Sequence, residues 1–550
     1  MKLIIRLAAV CYVGMFISCS KPAPVQTGLD KSKTYEELEA LFKEWRVFHA
    51  PAMVDSIPDY SAASMKKQQD ELKQWQARLM NFDTTGWSIS QQVDWYLVWA
   101  EMNSLDFDHR VRQPWANDPG YYVWFFTSQP DVPEREGPNV YGMIEMNLYP
   151  SPLPESVARE VAARLRKTGA LYKQAKANLT GNGKDMWNLG IRSIKEQSDE
   201  LEAFANSVSS QYPDLAAAAR EAKSASDEFA QWLTEQAPSK TGPSGIGKEN
   251  YDWYLKNVHL VPLTWEGERL ILERELYRAH SGLRLAEHRN RKLPKLEKKT
   301  DAEAYRKMLT DGVKEFLAFL EKDEMMTVKP YMEAPMMAQI RPFVKNDGIR
   351  GFFDEVDYRD PMPMRAHMYH WMEKEREKIE PVQSSIRRVP MLDNIFDGRA
   401  EGFATAMEEL IMNEGMLANR PRATELIYIM LAQRCARGLG GLYQHANEMS
   451  FDEATKYASK WVPWGLMPAD GGTIQHEEHF YLQQPAYGSS YVVGKVQLDQ
   501  LIAEYARQRE GKFELKEFMD RFTTSGIIPM SLLYWEMTGD KSMLQRAVGK

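Results

Sequence analysis

Two histidines, His367 and His370, stand three residues apart in MRAHMYHWMEKERE, residues 364–377, and the carboxylate Glu373 follows one turn later. On a helix, neighbours in such a series lie close enough to share a ligand. Imidazole nitrogens and a carboxylate oxygen form the donor set of zinc sites. With three protein ligands and an open position, such a site acidifies water or polarises a carbonyl. The His-Glu-x-x-His spacing of zincins is absent, because Trp371 and Lys374 occupy the positions four after each histidine. Glu373 also begins a charge run to Glu377 that reads equally well as a solvated face.

Three further stretches carry residues able to do chemistry. In GRAEGFATAMEEL, residues 398–410, Glu401 and Glu408 are seven apart and share one helix face, opposite Phe403, Met407 and Leu410. Stacked in a cleft they would serve as ligand and base; on the surface they would simply face water. In 423–450, Gly438, Gly441 and His445 fall on the stripe of Arg434. Glycines inside a helix imply close approach of a ligand or of another helix. HEEHF, from His476, places His479 three residues on, a weak metal pattern by itself. No phosphate-binding loop, dinucleotide fingerprint or Gly-x-Ser-x-Gly elbow is present.

These residues depend on long helices to position them. Val157, Val161, Leu165 and Tyr172 continue one apolar stripe, and similar periodicities run through 34–48, 64–80, 194–235 and 301–322. Few stretches alternate with period two, so the fold class is mainly α: a large multi-helix fold with few short strands. The segment 364–380, closed by Pro381, is expected to be one helix. The polar run QAPSKTGPSGIGKENY, 236–251, is the best internal break, dividing an N-terminal helical region (34–240) from a C-terminal one (241–550) that holds the candidate site.

The chain of 550 residues carries a formal charge of −8, which argues against a nucleic-acid partner. Its first 18 residues have a basic start and an apolar run too short to span a membrane in the mature protein. They end in Phe16-Ile17-Ser18-Cys19, which resembles a bacterial lipobox. Cys19 would then carry lipid at the new N-terminus, with residues 19–33 as a tether. Ser20 after it leans toward the outer membrane of the cell envelope. Cys11 is lost with the leader and Cys19 is lipidated, so Cys435 has no intramolecular partner and a disulfide framework is excluded. It is expected to be a buried structural thiol. The 15 Trp and 25 Tyr include clusters such as GYYVWFF (120–126) and KWVPWGLM (460–467), read as packing or as walls of a groove.

The C-terminal stretches together resemble the bacterial family called domain of unknown function 885 (DUF885), peptidase-like lipoproteins. AEGFATAMEEL is similar to its E-G-W-A-L-Y-A-E-x-L segment at Glu401, Gly402, Ala404, Glu408 and Leu410. RCARGLGGLYQHA matches another at Arg434, Ala436, Arg437, His445 and Ala446, and EEHFYLQQPAYGSSYVVG a third at Glu477, Tyr481, Pro485, Ser490, Tyr491 and Gly494. NYDWYLKNVHLVPLTWEGERL, from Asn250, is similar to a fourth. The resemblance implies a helical fold akin to zinc peptidases with a deep cleft, and zinc held by histidines of an H-E-x-x-P-G-H-H signature and by the glutamate at Glu401. That signature is missing. Only His367 or His370 stands near its place, no acid occupies the base position, and the family's P-G-Q is Pro485-Ala486-Tyr487.

The expectation is an envelope lipoprotein, anchored through Cys19, with a degenerate metal site and a binding or accessory role toward peptide-like ligands; its cofactor is then none, or zinc. The competing expectation is an active metallopeptidase with ligands among His367, His370, Glu373 and Glu401. Glu408 or Glu373 would activate water, Arg434 or His445 would steady the oxyanion, and Tyr491 completes the candidate catalytic set. A glycan-binding lipoprotein is a third, weaker expectation.

Overall fold

The computed structural model describes residues 33–549 apart from 131, 133, 134, 136, 347 and 349. The expected leader and the expected lipobox at Cys19 therefore lie outside the described residues. Thr34 opens the first helix, α1 (Tyr35–His49), with a reciprocal capping box to Glu37, and Leu38, Leu41, Phe42 and Trp45 form its buried stripe. Next come α2 (Ala62–Met80), α3 (Ile89–Phe107), the long pair α4 (Lys184–Val208) and α5 (Pro213–Gln236), and α6 (Trp265–Arg289). The site-bearing helices follow as α7 (Met362–His367), α8 (Tyr369–Ile379), α9 (Asp397–Asn413), α10 (Ala423–His445), α11 (Gly472–Gln483) and α12 (Tyr487–Gln508). Among the described residues, strands are confined to two short pairs. β1 (Met53–Val54) runs antiparallel to β2 (Ile57–Pro58), and β3 (Phe125–Phe126) parallel to β4 (Ile144–Glu145). The fold is mainly α, as the periodicities indicated.

Two large apolar clusters organise these helices. One joins α1–α3 to residues 251–544; the other is built from residues 60–237, including α4 and α5. The 236–251 segment leaves α5 through a 3-10 turn, Ala237–Ser239, and enters the next helix at Lys248. Among the described residues, no helix is long and apolar enough to cross a membrane.

At the centre lies α10, buried along nearly its whole length. Each fully buried aliphatic side chain contributes roughly 1.5–3 kcal/mol. This helix also buries Arg434 and Arg437, and a buried charge is tolerated only when paired. That requirement dictates what surrounds it. On one side, α12 is wedged against α9 through glycines. A Cβ on Gly402 would stand 2.5 Å from the Gly494 Cα, and one on Gly494 would stand 1.9 Å from the Gly398 carbonyl oxygen. Only glycine permits so close a crossing. Of the glycines on the Arg434 stripe, Gly438 faces the Gly488 backbone and Gly441 the Tyr481 ring. Both admit neighbouring chain.

Candidate metal centre

The segment expected to be one helix is two. Met368 adopts ψ 6° between α7 and α8, and the Trp371 N–H donates to the Met368 carbonyl three residues back. Periodicity does not register such a break, because the apolar pattern runs straight through it. The break sets the His367 and His370 rings perpendicular, with centroids 5.3 Å apart.

Glu401 arrives from α9. Ligand atoms of His367, His370 and Glu401 all lie within 4.8 Å of one another. The His370 Nε2 stands 3.3 Å from Glu401 Oε2, and the Tyr487 hydroxyl donates to Glu401 Oε1 at 2.5 Å. Burial alone would raise the Glu401 pKa. The His370 and His367 imidazoles and the Tyr487 hydroxyl outweigh it and pull the value down to about 2. Glu401 is therefore an anion at neutral pH. His367 is held below the ordinary histidine range, by burial first and by the Arg434 charge second, against the opposing pull of Glu408. Two imidazoles and a carboxylate in this compass fit a zinc-type ion, with neutral nitrogen and anionic oxygen available as donors.

Glu408, one helical turn pair beyond Glu401 on α9, supports His367 from behind. Its Oε1 is 3.2 Å from His367 Nδ1, and Arg434 donates to both of its oxygens at 2.9 and 2.6 Å. A carboxylate behind a histidine, fixing its tautomer and ring orientation, is the usual support of a metal-binding imidazole. Arg434 Nη2, which can only donate, also stands 3.1 Å from His367 Nδ1, so this nitrogen is committed to the Glu408–Arg434 pair and Nε2 is the ring atom left for a cation.

The cluster forms part of a cleft of about 780 Å³. The walls draw on both halves of the chain: Phe125 and Phe126 near α4, then Trp371, Phe480, Tyr487 and Tyr491. Aromatic side chains of the 120–126 run thus divide between core, as with Tyr122 and Trp124, and cleft. Arg437 and Glu477 line the same cavity.

Other residues singled out from sequence are placed elsewhere. Glu373 lies outside the cluster, buried and bonded by Arg399 at 2.5 and 3.2 Å, so the charge run begins in the interior rather than on a solvated face. His445 points its Nε2 at the Tyr481 carbonyl, 2.9 Å away, and packs on Tyr251; it does not line the cleft. Arg434 is fully buried and committed to Glu408 and His367. His479, buried beside Arg192, and His476, stacked on Phe480, both line the cleft. Tyr491 stands at the cleft with its hydroxyl 3.5 Å from that of Tyr487. Cys435 is buried and its thiol pushed well up by burial, as befits a structural residue. Sequence reasoning missed Tyr487 as the partner of Glu401, Arg399 as the partner of Glu373, and the Arg437–Glu477 pair. The signal available for Tyr487 was its place beside Ala486, whose φ of 73° is left-handed, at the point where the family motif has glycine.

The family described as "Bacterial protein of unknown function (DUF885)" matches residues 48–378 and 367–537. The chain belongs to this family. Two solved structures are similar to this DUF885 chain throughout. A candidate lipoprotein of unknown function from Shewanella oneidensis superposes with a TM-score of 0.62 at 16% identity, covering 91% of this chain and 97% of its own. Another candidate lipoprotein, from Colwellia psychrerythraea, has a TM-score of 0.62 at 12% identity, covering 92% and 98%. No curated protein matches.

Proposed function

We propose that this protein is a lipid-anchored envelope protein whose cleft holds a zinc-type ion and acts on peptide-like substrates as a metal-dependent hydrolase. The observation that carries the reading is the convergence of His367, His370 and Glu401 within 4.8 Å at a wide cleft. Structural zinc sites are closed by four protein ligands, whereas a three-donor set facing a cavity is the arrangement of catalytic ones. This favours a working centre over the degenerate one that the missing signature suggested.

When bound, such an ion supplies Lewis acidity and acidifies water. The protein's own residues do the rest. Glu408 and Arg434 lock the His367 ring, Tyr487 orients Glu401, and the aromatic walls receive apolar side chains. Glu373 and Glu408 are each consumed by an arginine. Glu477 lines the cleft, as do Glu196 and Glu200, and of these we assign the proton transfer to Glu477 because Tyr481 and Arg437 hold it in place. Glu477 is itself ion-paired with Arg437, and this favours a second reading, a peptide-binding protein without turnover. The lipobox at Cys19 and the likeness to candidate lipoproteins support the anchor.

The test is metal analysis of purified protein, followed by hydrolysis of a mixed peptide library with and without chelator. Stoichiometric zinc with chelator-sensitive cleavage supports the hydrolase; peptide bound without cleavage, with or without zinc, supports the binding reading; no zinc sinks the hydrolase. Incorporation of labelled palmitate, lost in Cys19→Ala, tests the anchor.

A further inference from the structure

Arg437 projects from α10 into the cleft that contains His367, His370 and Glu401. Its side chain is only 1% exposed. The guanidinium lies over the Tyr491 ring at 4.5 Å, with the Tyr481 ring 5.6 Å away. Among the described residues its ion-pair partner is Glu477, whose Oε2 is 2.5 Å from Nη1. That contact is not aligned for a hydrogen bond, and both Nε and Nη1 have no hydrogen-bond partner. The same Glu477 oxygen accepts a hydrogen bond from the Tyr481 hydroxyl at 2.6 Å.

The contrast with the other buried arginines around the site is informative. Arg434 and Arg399 each spend two N–H groups on a carboxylate in fork geometry. Arg437 alone of these three lines the cavity, and it alone meets its carboxylate through a single nitrogen, Nη1, rather than through a fork. A guanidinium presents five donors in a plane that matches a carboxylate bidentately, and burying them unpaired is costly. A cavity wall that engages its guanidinium at one terminal nitrogen leaves the other, Nη2, to be met from the cavity.

We propose that Arg437 is the recognition residue for a carboxylate on a peptide ligand, held flat against Tyr491 and facing the metal-binding cluster. The carboxylate could be the free C-terminus or an acidic side chain, and Glu477 is its internal competitor. A ligand that takes the Arg437 fork loosens Glu477, making that carboxylate available for the proton work assigned to it above. The inference shares the cleft of the proposed hydrolase but needs neither metal nor turnover, so the two can fail separately.

The experiment is calorimetric titration of the full chain, zinc-loaded and chelator-treated, with three probes. These are N-acetyl-alanyl-alanyl-phenylalanine as free acid, the same peptide as its amide, and N-acetyl-alanyl-glutamyl-alanine amide. Charged hydrogen bonds of this kind predict that an acid binds about tenfold or more tightly than the neutral amide. Preference for the first probe identifies the C-terminus as the source, and for the third an acidic side chain. In Arg437→Gln the preference should vanish. Equal binding of all three probes by the native protein, no binding of any of them, or a preference that survives Arg437→Gln overturns the proposal. Should that variant fail to fold, Glu477→Gln decides: freeing the fork should strengthen acid binding severalfold and leave amide binding unchanged, and no selective gain overturns the proposal. Zinc stoichiometry, measured alongside, reports on the metal centre independently.

Discussion

Replacing Glu401 by Gln keeps the size of the side chain and removes the only anion among the three converging donors. Two consequences follow, and their magnitudes differ. In the metal-free protein, the shift of this carboxyl from 4.5 to about 2 corresponds to about 3 kcal/mol of favourable interaction with its surroundings. Glu401→Gln should lower the unfolding free energy by up to that amount. The folded value lies below the unfolded one, so the contribution is fully present above about pH 4.5 and disappears as pH falls toward 2. The second consequence is in zinc affinity. Four-ligand structural sites gain about 10–16 kcal/mol, so one ligand is worth roughly 3 kcal/mol, or about a hundredfold. At a zinc concentration about 100 times the native dissociation constant, the native protein gains about 2.7 kcal/mol against unfolding, and the variant only about 0.4. The assay is urea unfolding followed by circular dichroism, with and without zinc, backed by competition against a zinc-binding dye. Native protein that gains nothing from zinc, or a variant that gains as much as the native, would refute the placement of a metal on these residues.

Other substitutions separate ligands from their supports. Glu408→Ala leaves Arg434 buried without its counter-charge and should lower unfolding free energy by about 3–5 kcal/mol; the milder Glu408→Gln should weaken zinc about 10–100-fold through the orientation of His367, as dye competition would show. Glu373→Gln should destabilise by about 3 kcal/mol through its Arg399 partner yet keep zinc affinity within about twofold, and a larger loss would return Glu373 to the ligand set. Burial lowers His445 from 6.5 to about 4; with the folded value depressed, its contribution of about 3 kcal/mol is present above pH 6.5 and lost as pH falls to 4. His445→Gln, which retains a donor for the Tyr481 carbonyl, should flatten that part of the stability–pH profile.

Much of the molecule is legible from residue types and local spacing alone. The helical class follows from stripes such as Leu38–Trp45, because burial of one face is what a period of 3.6 encodes. His367, His370 and Glu401 are candidates because imidazole and carboxylate are the side chains able to bind a hard or borderline cation, and the family resemblance marks their neighbourhood. What local spacing does not encode is which groups meet. Whether Glu373 turns to a metal or to Arg399, whether Glu408 acts as base or as the support of His367, and whether His445 faces a substrate or a carbonyl were all open on a helical wheel. So was the break at Met368, which the apolar pattern does not record. Each was decided by the crossing of α9, α10 and α12 at their glycines, which carries Glu401, Arg434 and Tyr487 to the histidines of α7 and α8. The physical reason is range: a helix determines its own neighbours three and four residues apart, whereas convergence of donors, pairing of buried charges and the walls of a cleft are set by contacts between segments far apart in the chain.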